Sequence, residues 1–261
     1  MGVINLTPDS FSGDGLSGDP VAALRRAEQM VEEGADVLDI GGESTRPGFT
    51  VVESSEQINR VIPAIRLIKE KLDIPISIDT TDPAVARAAL DVGADFVNDT
   101  AGLLGHQNIL EAVCSAGAAV VAMHNQRGKA HHGVLEDIRG GWAKAVKAAE
   151  LAGLPRHRII VDPGFGFGWS HVENLEILRG LAELRAFNLP ILIGPSRKSC
   201  IGAVLDLPVD QRLEGTAATV AVAVFNGSDV IRVHDVEPMV RVARMADAVV
   251  RGWQPPVTTN A

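Results

Sequence analysis

Polar residues that could bind a ligand stand directly after short apolar, β-branched runs along this chain of 261 residues. They are Asn5, Asp39, Asp79, Asn98, His124, Asp162, Lys198, Arg232 and His234, with Arg46 in the segment that follows the second run. A single acid or amide in such a position commonly only caps the next helix. Many together on one rim must be satisfied by one another, by water or by a ligand. The pattern therefore predicts a ligand-binding site.

Basic residues in this set predict binding of an anion. Arg46, Lys198, Arg232 and His234 can supply hydrogen-bond donors and positive charge from three strand ends. Guanidinium groups bind oxygens in pairs, a lysine adds a point charge, and backbone N–H groups of residues 194–199 can contribute. These features favour phosphate, and a carboxylate substrate is the alternative that the residues leave open.

Acidic and amide residues predict a second kind of partner. Asp79, Asn98 and Asp162 offer carboxylate and amide groups at three other strand ends. A carboxylate can accept two hydrogen bonds from an amidine-like edge of a planar heterocycle. A pterin or a purine meets that requirement.

The elements that must position these residues form eight strand–helix repeats. Short buried runs alternate with stretches in which apolar residues recur every three or four positions. The predicted strands are residues 2–5, 37–41, 75–79, 95–98, 118–123, 158–162, 190–194 and 229–233. Continuous apolar runs are typical of parallel strands covered on both faces. The repeats predict a single (β/α)₈ barrel with its site at the carboxyl ends of the strands. An open doubly wound sheet is disfavoured because no GxGxxG motif follows the first strand.

Composition limits the other classes of partner. The chain has 33 acidic against 24 basic residues and a formal charge of −9, which argues against nucleic acid or an anionic membrane as partner. Its two cysteines, Cys114 and Cys200, lie far apart, and no apolar run approaches the ~20 residues of a membrane helix. We therefore predict a cytoplasmic protein. Because no linker or low-complexity stretch precedes the polar, proline-containing end, we also predict one barrel domain over residues 1–253 and a frayed tail over 254–261.

Eight segments carry a resemblance to a known family. They are residues 1–12, 42–48, 78–80, 97–99, 162–168, 196–199, 214–218 and 232–235. In this order, each at its own strand end, they make the chain resemble the dihydropteroate synthases over essentially its whole length. That family joins 6-hydroxymethyl-dihydropterin pyrophosphate to 4-aminobenzoate and releases pyrophosphate. Sulfonamides compete with 4-aminobenzoate in these enzymes, and the family's dimers form through the late helices.

The resemblance implies a role for each matching residue. It implies that the pterin is bound by Asp79, Asn98, Met123, Asp162, Phe167, Gly194 and Lys198. It implies that pyrophosphate is bound by Asn5, Arg232 and His234, with Mg²⁺ at Asn5, and that 4-aminobenzoate is bound by Thr45, Arg46, Pro47 and Ser199. The residues expected to act in catalysis are Asp79, Lys198, Arg232, His234 and Arg46. Two loops, residues 7–16 and 42–49, are expected to close over the site.

Some features depart from the pattern or invite a different interpretation. Trp169 stands where lysine is expected and is interpreted as an outer-loop change, and Pro195 removes a backbone donor near the site. Glycines of segment 164–168 are expected to let the backbone approach a ligand. His124, His131 and His132 have no carboxylate at the usual spacing of a zinc site.

Two alternative functions also fit a pterin-binding barrel. One is methyl transfer from methyltetrahydrofolate to a corrinoid, which would use the same pterin residues but would not need the basic clamp. The other is a non-catalytic paralogue that binds a pterin and turns nothing over.

Overall fold

The structure is a computed structural model and describes residues 1–7, 15–43, 52–104 and 107–253. In these ranges it contains eight strands: β1 (Gly2–Asn5), β2 (Leu38–Gly41), β3 (Ile76–Asp79), β4 (Phe96–Asp99), β5 (Ala119–Met123), β6 (Ile159–Asp162), β7 (Leu192–Ile193) and β8 (Val230–Ile231). The helices are α1 (Pro20–Glu32), α2 (Ser54–Lys71), α3 (Pro83–Asp91), α4 (Gln107–Ala116), α5 (Val134–Leu151), α6 (His171–Leu184), α7 (Ser199–Leu205), α8 (Leu213–Phe225) and α9 (Val236–Arg251). Short 3₁₀ turns cover Arg156–Arg158, Arg185–Phe187 and Val209–Gln211.

The strands form a parallel barrel. Strands β1 to β6 pair in chain order, and β7 pairs with β8. The two groups meet at both edges, because Val161 bridges to Ile191 and Gly2 bridges to Val233. The Val3 amide donates to the Val233 carbonyl over 3.1 Å. The predicted (β/α)₈ barrel is confirmed. Only β7 and β8 are clearly shorter than predicted, with two residues each.

Local sequence signals fix the starts of several helices. The Asp19 carboxylate accepts hydrogen bonds at the start of α1, and Asp82 does the same at the start of α3; a proline follows each. Ser170 and Glu173 form a reciprocal capping box on α6. The helices then cover the barrel, and none of those in the described ranges is long and apolar enough to cross a membrane.

Strand register places the polar residues in layers at the mouth. Asn5 pairs with Gly41, Gly41 with Asp79, and Asp79 with Asn98. Because side chains alternate between the two faces of a strand, residues two positions earlier face the same side one layer deeper. Asp39 and its register partner Ser77 occupy that deeper layer, and both are fully buried.

Candidate active site

A half-buried arginine joins two carboxylates at the mouth of the barrel. Arg232 Nε donates to Asp39 Oδ2 over 2.5 Å, and a terminal nitrogen of the same guanidinium donates to Asp79 Oδ2 over 2.7 Å. The Asp79 side chain is only 10% exposed. Burial raises the pKa of Asp79; the Arg232 charge opposes the rise and the Asp39 charge adds to it. The mouth thus holds negative charge in a poorly solvated place.

A second acid and a lysine lie near this cluster at the same end of the barrel. Asp162 ends β6, and its Oδ1 accepts a hydrogen bond from the Gly164 amide over 2.7 Å. Burial raises the pKa of Asp162 to about 6. Burial, helped by the charge of Arg232, lowers the pKa of Lys198 to about 8, while the Asp162 charge opposes that shift. Opposite charges in a poorly solvated pocket can bind a ligand that carries both hydrogen-bond donors and acceptors.

The loop after β6 forms one wall of the pocket. Phe167 is half-buried, with Lys198 Nζ 4.5 Å and Arg127 Cζ 4.7 Å from its ring centroid. A Cβ on Gly164 would lie 1.8 Å from the His124 carbonyl oxygen, and one on Gly166 would lie 2.8 Å from Lys198 Cδ. These glycines admit the neighbouring loop and the lysine stem, and their approach to a ligand stays a prediction.

The loop after β7 is held by side chains from later elements. His234 Nδ1 lies 2.9 Å from Ser196 Oγ. Arg197 has φ of +55°, and its guanidinium binds both carboxylate oxygens of Asp235 over 2.9 and 2.5 Å. Its amide donates to Thr216 Oγ1 over 3.0 Å. Arg197 thus positions the loop, whereas Lys198 faces the pocket.

Some of the remaining predicted residues have described positions, and others lie outside the described residues. Met123 is buried at the end of β5 in register with Asp162, Asn98 is buried beside Asp39, and Ser199 is exposed at the start of α7. Gly194 has ordinary contact distance to Arg232, since a Cβ there would lie 3.9 Å from the arginine Cβ. Thr45, Arg46 and Pro47 lie outside the described residues, as does most of the two predicted loops.

Two residues of the site were not singled out from the sequence. Asp39 was recognised only as a strand-end acid, yet it contacts both Arg232 and Asn98. Arg127 contacts Phe167 and lines a cavity of about 170 Å³ beside Asp79. Its signal was weak, because a single arginine in a Gly-containing loop resembles any solvated residue.

The histidine segment differs from its interpretation in the sequence. His131 lies 3.0 Å from both Asp137 and Glu173, so carboxylates do join it through folding. No group of three or more histidine, cysteine or acidic residues in the described ranges could hold a metal ion. Trp169 is not an outer-loop residue: it is 8% exposed, and its ring lies 5.6 Å from that of His124 and 5.8 Å from that of His131.

The donor set fits Mg²⁺ only if the substrate supplies most ligands. Asn5 is half-buried at the rim, and its amide oxygen is a hard ligand of the kind that Mg²⁺ accepts. Because Mg²⁺ commonly keeps water and binds phosphate oxygens, one protein ligand beside a pyrophosphate is compatible with it.

Buried acids, an amide and cations lie at the carboxyl end of this (β/α)₈ barrel, which is the end where enzymes of this fold have their active sites. A family model described as "Pterin binding enzyme" matches residues 1–234. Dihydropteroate synthase of Clostridium beijerinckii is 41% identical over 252 residues, which cover 96% of this chain and 94% of that protein.

Solved structures agree with this similarity. Dihydropteroate synthase from Clostridium difficile, crystallised in the presence of pteroic acid, has a TM-score of 0.91 and 44% identity, with 96% of each chain covered. The enzyme from Xanthomonas albilineans with 4-aminobenzoic acid has a TM-score of 0.88 and 37% identity, covering 95% of this chain and 92% of that one. The chain belongs to the dihydropteroate synthases, transferases of folate biosynthesis.

Proposed function

We propose that the barrel mouth carries out the family's condensation, joining 6-hydroxymethyl-7,8-dihydropterin pyrophosphate to 4-aminobenzoate to give 7,8-dihydropteroate and pyrophosphate. The observation that carries the assignment to this mouth is the hydrogen bond from Arg232 to Asp79, together with the electrostatic influence of Lys198 and Arg232 on Asp162 at the same end of the barrel. The solved relatives with pteroic acid and 4-aminobenzoic acid support the same two substrates.

The pterin is assigned to the acidic half of the pocket. Asp79, Asn98 and Asp162 present acceptors to the N–H edge of the ring, and Lys198 donates to an acceptor on it. Met123, Phe167 and Gly194 are the apolar and small neighbours of the ring plane. The raised pKa values of both acids support this assignment, because a buried carboxylate gains most from a ligand that brings donors.

Pyrophosphate is assigned to Asn5, Arg232 and His234, with Mg²⁺ held at Asn5. When bound, Mg²⁺ neutralises charge on the leaving oxygens. Arg232 begins in contact with two carboxylates, so it can donate to the substrate from the rest of its five N–H groups without losing its anchor. The Ser196 hydroxyl, 2.9 Å from His234 Nδ1, orients the imidazole at the mouth.

4-Aminobenzoate is assigned to Ser199 together with Thr45, Arg46 and Pro47. Attack by its amine nitrogen on the pterin methylene forms the C–N bond as the C–O bond to pyrophosphate breaks, and the amine then loses a proton. An arylamine is nucleophilic at neutral pH, so positioning and charge complementarity carry catalysis. Asp79 lies where it can stabilise positive charge that develops on the pterin, and Lys198 and Arg46 help to orient the two reactants.

A homodimer is proposed through helices α8 and α9. Phe225, Met245 and Val249 are 66%, 66% and 67% exposed on one face formed by these helices. Exposed apolar patches of this kind are typical of protein interfaces. We expect Phe225→Asp to convert a dimer to a monomer in analytical ultracentrifugation, while Leu151→Asp, an exposed apolar position on α5, leaves the mass unchanged. A monomeric unmodified protein would refute the interface.

The test of function is product formation by the purified chain. Pyrophosphate release and dihydropteroate mass are measured with Mg²⁺ and the dihydropterin pyrophosphate, with and without 4-aminobenzoate. Product that depends on 4-aminobenzoate supports the proposal. Pterin binding without product would identify a non-catalytic paralogue, whereas corrinoid-dependent methyl transfer would identify the methyltransferase. We also propose that residues 1–253 form one domain.

A further inference from the structure

Asp39 is fully buried inside the barrel. It lies on β2, one layer below the row that contains Asp79, and is 0% exposed. Its Oδ2 accepts hydrogen bonds from both sides, from Arg232 Nε over 2.5 Å and from Asn98 Nδ2 over 3.1 Å. One buried carboxylate oxygen therefore connects two residues proposed to bind the substrate, on strands from opposite parts of the chain.

This contact determines which way the Asn98 amide faces. An ionised carboxylate only accepts hydrogen bonds, so the amide nitrogen of Asn98 must face Asp39. Its Oδ1 is then the group left for a ligand, and Asn98 offers an acceptor rather than a donor. The oxygen and nitrogen ends of a side-chain amide are nearly equal in shape. Without an acidic neighbour, nothing would fix which of the two faces the ligand.

The same carboxylate anchors Arg232 independently of Asp79. If Asp79 alone held the guanidinium, a pterin that engaged Asp79 would compete with its only partner. With Nε fixed by Asp39, Arg232 keeps its position when Asp79 turns its oxygens to the ligand.

We propose that Asp39 is a positioning residue of the enzyme: it orients Asn98 as an acceptor for the pterin and holds Arg232 in place for the pyrophosphate. The inference rests on the substrate-binding roles proposed above for Asn98, Asp79 and Arg232. It predicts that loss of the Asp39 carboxylate weakens binding of the dihydropterin pyrophosphate much more than binding of 4-aminobenzoate.

The test compares Asp39→Asn with Ser77→Ala. Ser77 is the register partner of Asp39, is equally buried, and its Oγ has no hydrogen-bond partner in the described part of the chain. For Asp39→Asn we expect a raised KM and calorimetric Kd for the dihydropterin pyrophosphate and a kcat/KM lower by about 10²-fold, as small misplacements can cause. The KM for 4-aminobenzoate should change less than about twofold. Ser77→Ala should match the unmodified enzyme.

A second variant separates orientation from stability. Asp39→Asn combined with Asn98→Asp keeps an amide–carboxylate hydrogen bond between β2 and β4 and the same total charge. We expect its Tm to recover toward the unmodified value while pterin affinity does not. The proposal is overturned if Asp39→Asn keeps normal pterin Kd and KM, or if the exchanged pair restores affinity. Turnover by the unmodified enzyme tests the reaction separately, and pterin binding tests Asp39 without turnover.

Discussion

Two adjacent glycines in α5 provide a matched test of how tightly the pocket wall is packed. A Cβ built on Gly141 would lie 2.0 Å from His124 Nδ1, whereas a Cβ on Gly140 meets nothing within 4 Å. His124 is 6% exposed; its Nε2 lies 2.8 Å from Gln126 Oε1, and its ring packs on Trp169. The ring therefore cannot turn away without breaking those contacts. Gly141→Ala should destabilise the protein, and Gly140→Ala should stabilise it.

The magnitude follows from two opposing effects. Alanine in place of glycine stabilises a helix interior by roughly 0.5–1 kcal/mol, and this gain is common to both variants. Overpacking a close-packed site costs about 1–3 kcal/mol, and only Gly141→Ala incurs it. The two variants should therefore differ by about 1–3 kcal/mol in free energy of unfolding. At about 2–4 °C per kcal/mol for a domain of this size, their Tm values should differ by roughly 2–12 °C.

The assay is calorimetric or dichroic melting of both variants, followed by steady-state kinetics. Because His124 follows Met123 and its carbonyl contacts the Gly164 turn, Gly141→Ala should also raise the KM for the dihydropterin pyrophosphate. Equal Tm values for the two alanine variants would show that His124 has room to move. The account of the pocket wall as a close-packed unit would then be wrong.

Three further predictions concern charge and hydrogen bonding in the site. The pKa of Asp162 is raised from 3.8 to about 6, so protonated Asp162 contributes stability below about pH 4, and this contribution is lost as the pH rises through 6. The Tm of Asp162→Asn relative to the unmodified protein should therefore increase between pH 4 and pH 7. A constant difference in Tm would contradict this. Lys198→Ala should reduce turnover by about 10²–10³, measured as pyrophosphate release, and near-normal turnover in folded protein would remove Lys198 from the site. Asn174→Ala leaves the Gly166 amide, which donates to Asn174 Oδ1 over 2.6 Å, without that partner; urea unfolding should show a loss of about 1–3 kcal/mol, and an unchanged midpoint would mean that the turn finds another acceptor.

Sequence reasoning predicted the barrel because its strands are covered on both faces. Buried parallel strands read as continuous apolar runs, so β1 to β6 were placed within one or two residues of their bounds. The lengths of β7 and β8 were overestimated, because the flanking residues Ile191 and Val233 are as apolar as the strands but make only isolated bridges. Hydrogen-bond pairing, unlike burial, leaves no mark on composition.

The candidate site was predicted as a set of positions but not as a set of contacts. The rule that barrel chemistry lies at the carboxyl ends of strands brought Asp79, Asp162, Lys198 and Arg232 together. That rule could not predict which of these residues form hydrogen bonds with one another. Arg232 is 153 residues from Asp79 and 193 from Asp39, and only the closed barrel makes them neighbours. Asp39 was overlooked as an organiser for the same reason, because an acid near a strand end has no local feature that reveals what it contacts.

The perturbed groups of the mouth share one physical cause, and it indicates what the site is built to bind. Burial raises the pKa of Asp79 and Asp162 and lowers that of Lys198, so burial disfavours the charged form of each group. A neutral apolar ligand would displace water and increase those costs. A ligand with donors at one end and an anion at the other offsets them, because its donors meet the carboxylates and its anion meets the cations. A dihydropterin pyrophosphate has this polarity, in agreement with the function proposed above.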